Sequence, residues 1–261
     1  MSFDLEVSLL VSGVEARCST QLDEVGLNSL SAELADARFY LSAIEARNDE
    51  GRWIPVELEQ DGKWQYENVV LLDFEDGQGS CASSGTTDMN SRVRGRLPDA
   101  DYDRLRFSVG VPFELNHLDD ASAPAPLNSP GMFWAWQDGY KFLRLDWTPN
   151  SSSRWNFHLG SRGCDNGGQP NSAPPVRCDR PNRPRIELGG FGESSTLRVD
   201  AGALVKHSAL DSNLAGSPPG CMSSPSEPSD CEPVYEALGI DFLTGTCISG
   251  CEEQRVFSLH P

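Results

Sequence analysis

Recognisable catalytic motifs are missing from this chain of 261 residues. The sequence has no G-x-S-x-G elbow, no P-loop, no G-x-G-x-x-G after a strand and no H-E-x-x-H, so no common enzyme signature supports catalysis. No apolar run approaches the length of a membrane-spanning helix, and we expect no membrane insertion. The first residues, MSFDLEVSLL, lack the basic flank and apolar core of a signal peptide. We expect that an export signal has been removed before them.

Positive charge is scarce. The chain has 21 basic and 39 acidic residues, which gives a formal net charge of −18. Such a surface repels phosphate backbones, so nucleic acid is an unsuitable partner. The acidic excess is typical of a protein kept soluble by its charge, and it would attract a cation or a basic partner.

Helical periodicity is also scarce, and only the segments 23–34 and 233–238 are candidates for short helices or turns. Alternation and β-branched or aromatic content predict strands instead, separated by Asp-Gly and Gly-Gly turns. The predicted strands are 5–11, 38–44, 53–58, 69–74, 105–111, 140–147, 155–159, 186–188, 196–199 and 255–259. We predict an all-β fold: a single β-sandwich or barrel-like domain over residues 1–261 with long disulfide-stapled loops.

The eight cysteines are an even number, which suits full pairing in an oxidising compartment, periplasmic or secreted. Eight cysteines allow about 105 pairings, and proximity alone favours one set. The set is Cys164 with Cys178, Cys221 with Cys231, Cys247 with Cys251, and Cys18 with Cys81. Zinc is a weaker alternative because no C-x-x-C pair occurs. Full pairing would leave no cysteine nucleophile.

Histidine is rare, with four residues in the chain. We expect His207 on the surface and His260 frayed near the C-terminus. His117 follows a predicted strand and a proline, at the kind of strand end that often builds sites. In the segment 155–159 the aromatic side chains alternate with His158, which therefore faces away from them, toward solvent or into a cleft. Neither histidine alone indicates a metal ligand.

Aromatic residues make up 8% of the chain but concentrate in GMFWAWQDGYKF at 131–142. In an extended segment Trp134 and Trp136 point the same way, which by itself indicates a core cluster. Clustered carboxylates suggest two alternatives, a secreted Ca²⁺- or carbohydrate-binding module and a hydrolase with an unrecognised carboxylate pair. The carboxylates concerned are Asp73, Glu75, Asp76, Asp119, Asp120 and Asp138.

Several segments together resemble the MbnP family, copper-binding proteins often encoded in methanobactin operons. The resemblance spans about residues 5–240, and Cys247 and Cys251 lie in a tail outside it. The matching segments are RFYLSAIE at 38–45, DGKWQ at 61–65, LLDFED at 71–76, VGVPFELNH at 109–117, APLN at 125–128, GMFWAWQDGYKFLRLD at 131–146, FHLGSRGC at 157–164, CDRPNRPRIEL at 178–188 and GCMSSPSEPSDC at 220–231.

The resemblance implies an exported β-rich protein that binds one copper ion as Cu(I) and is not itself an enzyme. It implies that copper binding requires oxidation of the first tryptophan of the WxW motif, here Trp134, to kynurenine. The implied oxidant is MbnH, a di-haem protein of the MauG/cytochrome c peroxidase superfamily. An indole offers only an N–H donor, whereas kynurenine carries an amine and a ketone. We expect a monomer or a weak dimer.

The matched motifs also imply a ligand set. His117 and His158 flank the WxW motif and are the implied imidazole ligands, since Cu(I) favours imidazole nitrogen and soft sulfur. Three further residues have weaker assignments: Met222 as a thioether ligand, Met132 as a lesser candidate for that role, and Tyr140 as an electron relay. Trp136 shares the relay or supporting role with Tyr140.

Overall fold

The fold is described from a computed structural model, which describes residues 1–83, 85–135, 137–150, 154–165, 167, 174 and 176–261. In chain order the strands are β1 (Ser2–Val11), β2 (Val14–Glu15), β3 (Leu22–Val25), β4 (Leu30–Asn48), β5 (Trp53–Pro55), β6 (Glu57–Leu58), β7 (Gln65–Tyr66), β8 (Val69–Asp73), β9 (Arg92–Arg96), β10 (Tyr102–Val109), β11 (Phe133–Ala135), β12 (Gly139–Tyr140), β13 (Leu143–Pro149), β14 (Trp155–Leu159), β15 (Arg185–Gly189), β16 (Thr196–Asp200), β17 (Gly220–Cys221) and β18 (Phe257–His260).

Helices are short. The α-helices are α1 (Phe113–Asn116), α2 (Ala201–Val205) and α3 (Pro228–Ala237), and 3₁₀ turns lie at Gly79–Cys81, Pro130–Met132 and Ile248–Cys251. In the described part of the chain, no helix has the length and apolar character needed to cross a membrane.

Two sheets and one hairpin contain these strands. The larger sheet has the order β15-β10-β4-β13-β14-β17, with β3, β5 and β8 also paired to β4 and β7 paired to β8. The smaller sheet has the order β18-β16-β1-β9-β6, with β2 on β1, and β11 pairs with β12 alone. The β13–β14 hairpin and the parallel pairing of β17 on β14 bring the segments around 144, 158 and 222 to one edge of the larger sheet.

The two sheets pack face to face. Along β1 the buried and solvent-facing residues alternate, which places one row of side chains against the other sheet. Phe257 of the smaller sheet contacts Phe39 and Phe107 of the larger one, edge-on, with ring centroids 6.5 and 5.4 Å apart. The predicted all-β sandwich is therefore confirmed.

In the segment 23–34, expected to hold a short helix or turns, the structure has a turn: Gly26, at φ +73°, turns the chain and Ser29 N–H donates to its carbonyl, so that β3 and β4 pair. One local expectation is wrong. His260 is not frayed, since β18 pairs with β16 up to that residue. The helix expected at 233–238 is confirmed as the end of α3, which begins earlier at Pro228.

All eight cysteines form disulfides, in the four pairs that proximity predicts. Cys18–Cys81 joins the loop after β2 to the first 3₁₀ turn, and Cys221–Cys231 ties β17 to α3. These bonds hold long polar segments that have few apolar side chains to bury.

Candidate metal centre

The β11–β12 hairpin carries Trp134, and its base is fixed from the core side. Lys141 donates from Nζ to the carbonyl of Gly131 at 2.8 Å and from its backbone N–H to the carbonyl of Met132 at 2.6 Å. Phe133 packs edge-on against the buried Tyr140, with centroids 5.3 Å apart. The hairpin therefore holds Trp134, which is half-buried, at the surface of the sandwich.

Three alternate residues of one extended segment face the ring of Trp134. The His158 ring lies 6.1 Å from it between centroids, and the Arg162 guanidinium lies over it at 4.3 Å. Between them, a Cβ at Gly160 would fall 2.5 Å from the indole Cζ3, so only glycine permits this approach. A period of two places residues 158, 160 and 162 on the same side of an extended chain.

His158 is buried and paired with a carboxylate. Its Nε2 lies 2.8 Å from Oδ1 of Asp146. The other carboxylate oxygen, Oδ2, accepts a hydrogen bond from Arg144 Nε at 2.9 Å. Burial lowers the pKa of His158, and the hydrogen bond that its ring donates to Asp146 only partly opposes this, so the neutral imidazole is favoured near pH 7. A neutral ring facing a carboxylate carries its proton on Nε2, which leaves the Nδ1 lone pair as the donor to a metal.

Asp146 stays ionised in this pair. Burial acts to raise its pKa, but the hydrogen bond from His158 and the charge and hydrogen bond of Arg144 outweigh burial and lower it. Arg144 also pairs with the buried Asp36 at 3.0 Å and donates to the Gly131 carbonyl at 3.3 Å. One charged network thus supports both His158 and the hairpin that carries Trp134.

The main chain of Met222 adjoins this cluster. Arg162 pairs with Asp138 through Nη1 at 2.8 Å and donates from Nη2 to the carbonyl of Met222. Met222 N–H in turn donates to Glu227 at 2.9 Å, and the side chain of Met222 is half-buried. The segment is held on its other side by Ser223, whose Oγ donates to the His158 carbonyl at 2.8 Å.

His117 is buried in a different setting. Its Nε2 lies 3.7 Å from Sγ of Cys178, in the disulfide with Cys164, and its ring is edge-on to Phe113 at 5.1 Å. The ligand atoms of His117 and the two cysteines lie within 4.8 Å of one another, but the bonded sulfurs offer no thiolate. Asn116 links His117 to the hairpin, since its amide donates to Asp138 O at 3.3 Å and accepts from Tyr140 N–H at 2.9 Å.

Of the other residues that the sequence suggested for the site, two are buried in the protein and one lies outside the described residues. Met132 is completely buried under the hairpin. Tyr140 is also buried, donates its hydroxyl to Leu127 O at 2.6 Å, and has a raised pKa because of burial. Trp136, named as a relay from the sequence, lies outside the described residues.

The carboxylates of the alternative cation site are largely occupied by ion pairs with arginines and by hydrogen bonds within turns. Asp138 pairs with Arg162. Glu75 is buried beside Arg38, 3.8 Å from its Nη1, and burial raises the pKa of the neighbouring Asp73 to about 7. Asp119 accepts from Ala121 N–H at 3.2 Å in a local turn.

Sequence reasoning missed Asp146, Gly160 and Arg162, although all three lie in segments that the resemblance covers. The alternation His-x-Gly-x-Arg at 158–162 was the available signal for two of them. Asp146 had no such signal, because its partnership with His158 arises from the register of β13 on β14.

The fold and this geometry define a class of protein, a disulfide-stapled β-sandwich with a carboxylate-oriented histidine beside a half-buried tryptophan. A family model described as MbnP matches residues 1–223, and the chain belongs to the MbnP family. It is similar to the solved structure of MbnP from Methylosinus trichosporium, with 28% identity, a TM-score of 0.84, and coverage of 99% of this chain and 98% of that one. No curated protein matches it significantly. The family resemblance drawn from the sequence is confirmed.

Proposed function

We propose that this protein binds one copper ion as Cu(I), at a site completed when a di-haem partner of the MauG type oxidises Trp134 to kynurenine. The protein is the substrate of that oxidation and acts in copper homeostasis in the periplasm or outside the cell. Four disulfides suit such an oxidising compartment.

The observation that carries this proposal is the His158–Asp146 pair beside Trp134. A carboxylate that accepts from one imidazole nitrogen orients the ring and makes the other nitrogen a better metal donor. Burial and the lowered pKa keep His158 in the neutral form that a metal requires. The ring of His158 lies 6.1 Å from that of Trp134, so a group formed from the indole would lie beside it.

The donor chemistry fits a soft monovalent ion. The proposed donors are the imidazoles of His117 and His158, the thioether of Met222 and the amine of the modified Trp134. Imidazole and thioether suit Cu(I). Support for Met222 comes from its main chain, which Arg162 and the neighbouring Ser223 hold next to the segment of His158.

The oxidation balances with a peroxide as the oxidant class. Two equivalents of hydrogen peroxide cleave the indole C2–C3 bond, adding one oxygen to each carbon and leaving two waters. The haems of the partner would supply the redox chemistry that couples the indole to the peroxide. Hydrolysis of the N-formyl group then releases formate. The product keeps a ketone oxygen on the former C3 and an aromatic amine.

The test is coexpression with the di-haem partner, followed by copper analysis and mass measurement of the peptide that contains Trp134. We expect one copper per chain and a peptide that has lost one carbon and gained one oxygen. A Trp134→Phe variant should lose copper, while Trp53→Phe should keep it. Unchanged copper in Trp134→Phe would refute the proposal. Calcium-dependent stabilisation or glycan binding without copper affinity would favour the secreted Ca²⁺- or carbohydrate-binding alternative.

A further inference from the structure

Two arginines of the described chain stack on tryptophans in a similar way. Arg106 lies 4.1 Å over the ring of Trp53 and pairs with Glu45 at 2.7 Å. Arg162 lies 4.3 Å over the ring of Trp134 and pairs with Asp138 at 2.8 Å. The first pair is an internal comparison for the second, because distance and charge pairing are nearly the same.

The two guanidinium groups differ in how completely their donors are used. Arg106 uses its Nε and one terminal nitrogen on Glu45. Arg162 uses both terminal nitrogens, on Asp138 and on the carbonyl of Met222. Its Nε–H is buried and donates to no protein atom among the described residues. An unsatisfied buried donor is energetically unfavourable, so this N–H favours a nearby acceptor.

We propose that Arg162 is a positioning residue for the oxidised form of residue 134, and that its buried Nε–H donates a hydrogen bond to the ketone oxygen of kynurenine. The inference rests on the proposed function. An indole offers no oxygen acceptor, whereas kynurenine carries one on the carbon that was indole C3. Oxidation thus creates an acceptor on the side chain that Arg162 already covers.

The side chain of Arg162 also links residue 134 to the segment that contains Met222, the proposed thioether ligand. Because Arg162 also donates to the Met222 carbonyl, a kynurenine held by Nε–H is fixed relative to Met222. The planar guanidinium can stack, pair with Asp138 and donate from Nε at once, which an ammonium group cannot do. Gly160, against the same ring, leaves no side chain between residue 134 and the main chain.

The experiment compares wild type, Arg162→Gln, Arg162→Lys and the control Arg106→Gln after coexpression with the di-haem partner. Kynurenine content is measured first, by peptide mass, and Cu(I) affinity is then measured on the kynurenine-containing fraction. We expect kynurenine in every variant, with Cu(I) affinity at least about tenfold lower in both Arg162 variants, the loss of one hydrogen bond to a charged donor. Arg106→Gln should match wild type.

The outcomes separate this inference from the proposed function. Absence of kynurenine or copper in wild type would refute the proposed function. Normal wild type with unchanged affinity in Arg162→Gln would refute only the role of Arg162. Loss of kynurenine in the Arg162 variants would also overturn it, since Arg162 would then act in the oxidation itself.

A second measurement needs no variant and covers the case in which neither Arg162 variant folds. A kynurenine ketone that accepts a hydrogen bond absorbs at longer wavelength than one buried without a donor, and in the unfolded protein water supplies the donor. We expect the band of the copper-free, folded wild type to lie at the same or longer wavelength than that of the same protein unfolded in denaturant. A folded band at shorter wavelength would overturn the inference.

Discussion

The two candidate imidazole ligands are both buried, but different interactions hold them. Nε2 of His158 faces the carboxylate of Asp146 at 2.8 Å, whereas Nε2 of His117 faces the amide of Asn116 at 3.3 Å and the sulfur of Cys178 at 3.7 Å. The carboxylate requires a proton on Nε2 of His158, while the amide N–H favours a lone pair on Nε2 of His117.

Because of this difference, His158 could bind a metal with its present hydrogen bond, whereas His117 would first have to change its own. His158 can offer Nδ1 without giving up its hydrogen bond to Asp146. His117 would have to exchange its contact with Asn116 if Nε2 bound the metal. We therefore expect His158 and its carboxylate to dominate affinity, and His117 to contribute less.

The largest effect is expected from His158→Ala. Loss of a supporting partner alone typically lowers metal affinity about 10–100-fold, so loss of the ligand should exceed about 100-fold. Cu(I) titration of the kynurenine-containing protein against a competing chelator measures it. His207→Ala, at an exposed histidine, is the matched control and should leave affinity unchanged. If His117→Ala weakened binding more than His158→Ala, the comparison would be reversed.

Asp146→Asn should lower Cu(I) affinity about 10–100-fold, because an amide orients the His158 ring without strengthening its donor nitrogen. Asp103→Asn, which breaks the exposed pair with Arg47, serves as the control. Thermal denaturation must accompany the titration, since Asp146 also pairs with Arg144 inside the network. An affinity equal to wild type in a folded Asp146→Asn protein would contradict the role assigned to this carboxylate.

Replacement of Cys164 and Cys178 by serine should destabilise the protein by about 3 kcal/mol, because the disulfide closes a loop of 14 residues. It should also lower copper affinity modestly, because Nε2 of His117 contacts Sγ of Cys178 and loses this contact. Urea unfolding gives the first quantity and Cu(I) titration the second. The same change at Cys247 and Cys251, which are four residues apart, should cost less stability and no affinity. Equal copper affinity in both double variants would separate His117 from the disulfide.

The smallest effect concerns pH and the copper-free protein. The pKa of His158 is lowered in the folded state, so below the usual value of about 6.5 the unfolded chain binds more protons than the folded one. Wild type should therefore lose stability relative to His158→Gln as the pH falls from 7.5 to about 5.5. Urea unfolding of both proteins at these pH values measures the difference. A constant difference would contradict the neutral state of His158.

Most of the architecture could be predicted because it depends on local signals. Alternation in β1 predicts which side chains are buried, and Asp-Gly and Gly-Gly turns mark chain reversals. For the segment 23–34 the sequence left a short helix and turns both open, and the pairing of β3 with β4 decides for a turn. A single domain over residues 1–261 stays a prediction.

The sequence by itself determined the sandwich pattern, the four disulfides by proximity, the family and the face of β14 from which His158 projects. Only the tertiary structure decided what His158 and Trp134 meet. The register of β13 on β14 brings Asp146 to His158, and the extended continuation of the chain after β14 brings Gly160 and Arg162 to Trp134. These contacts join residues of separate segments, and a local pattern contains no information about such register or about which donors remain unsatisfied.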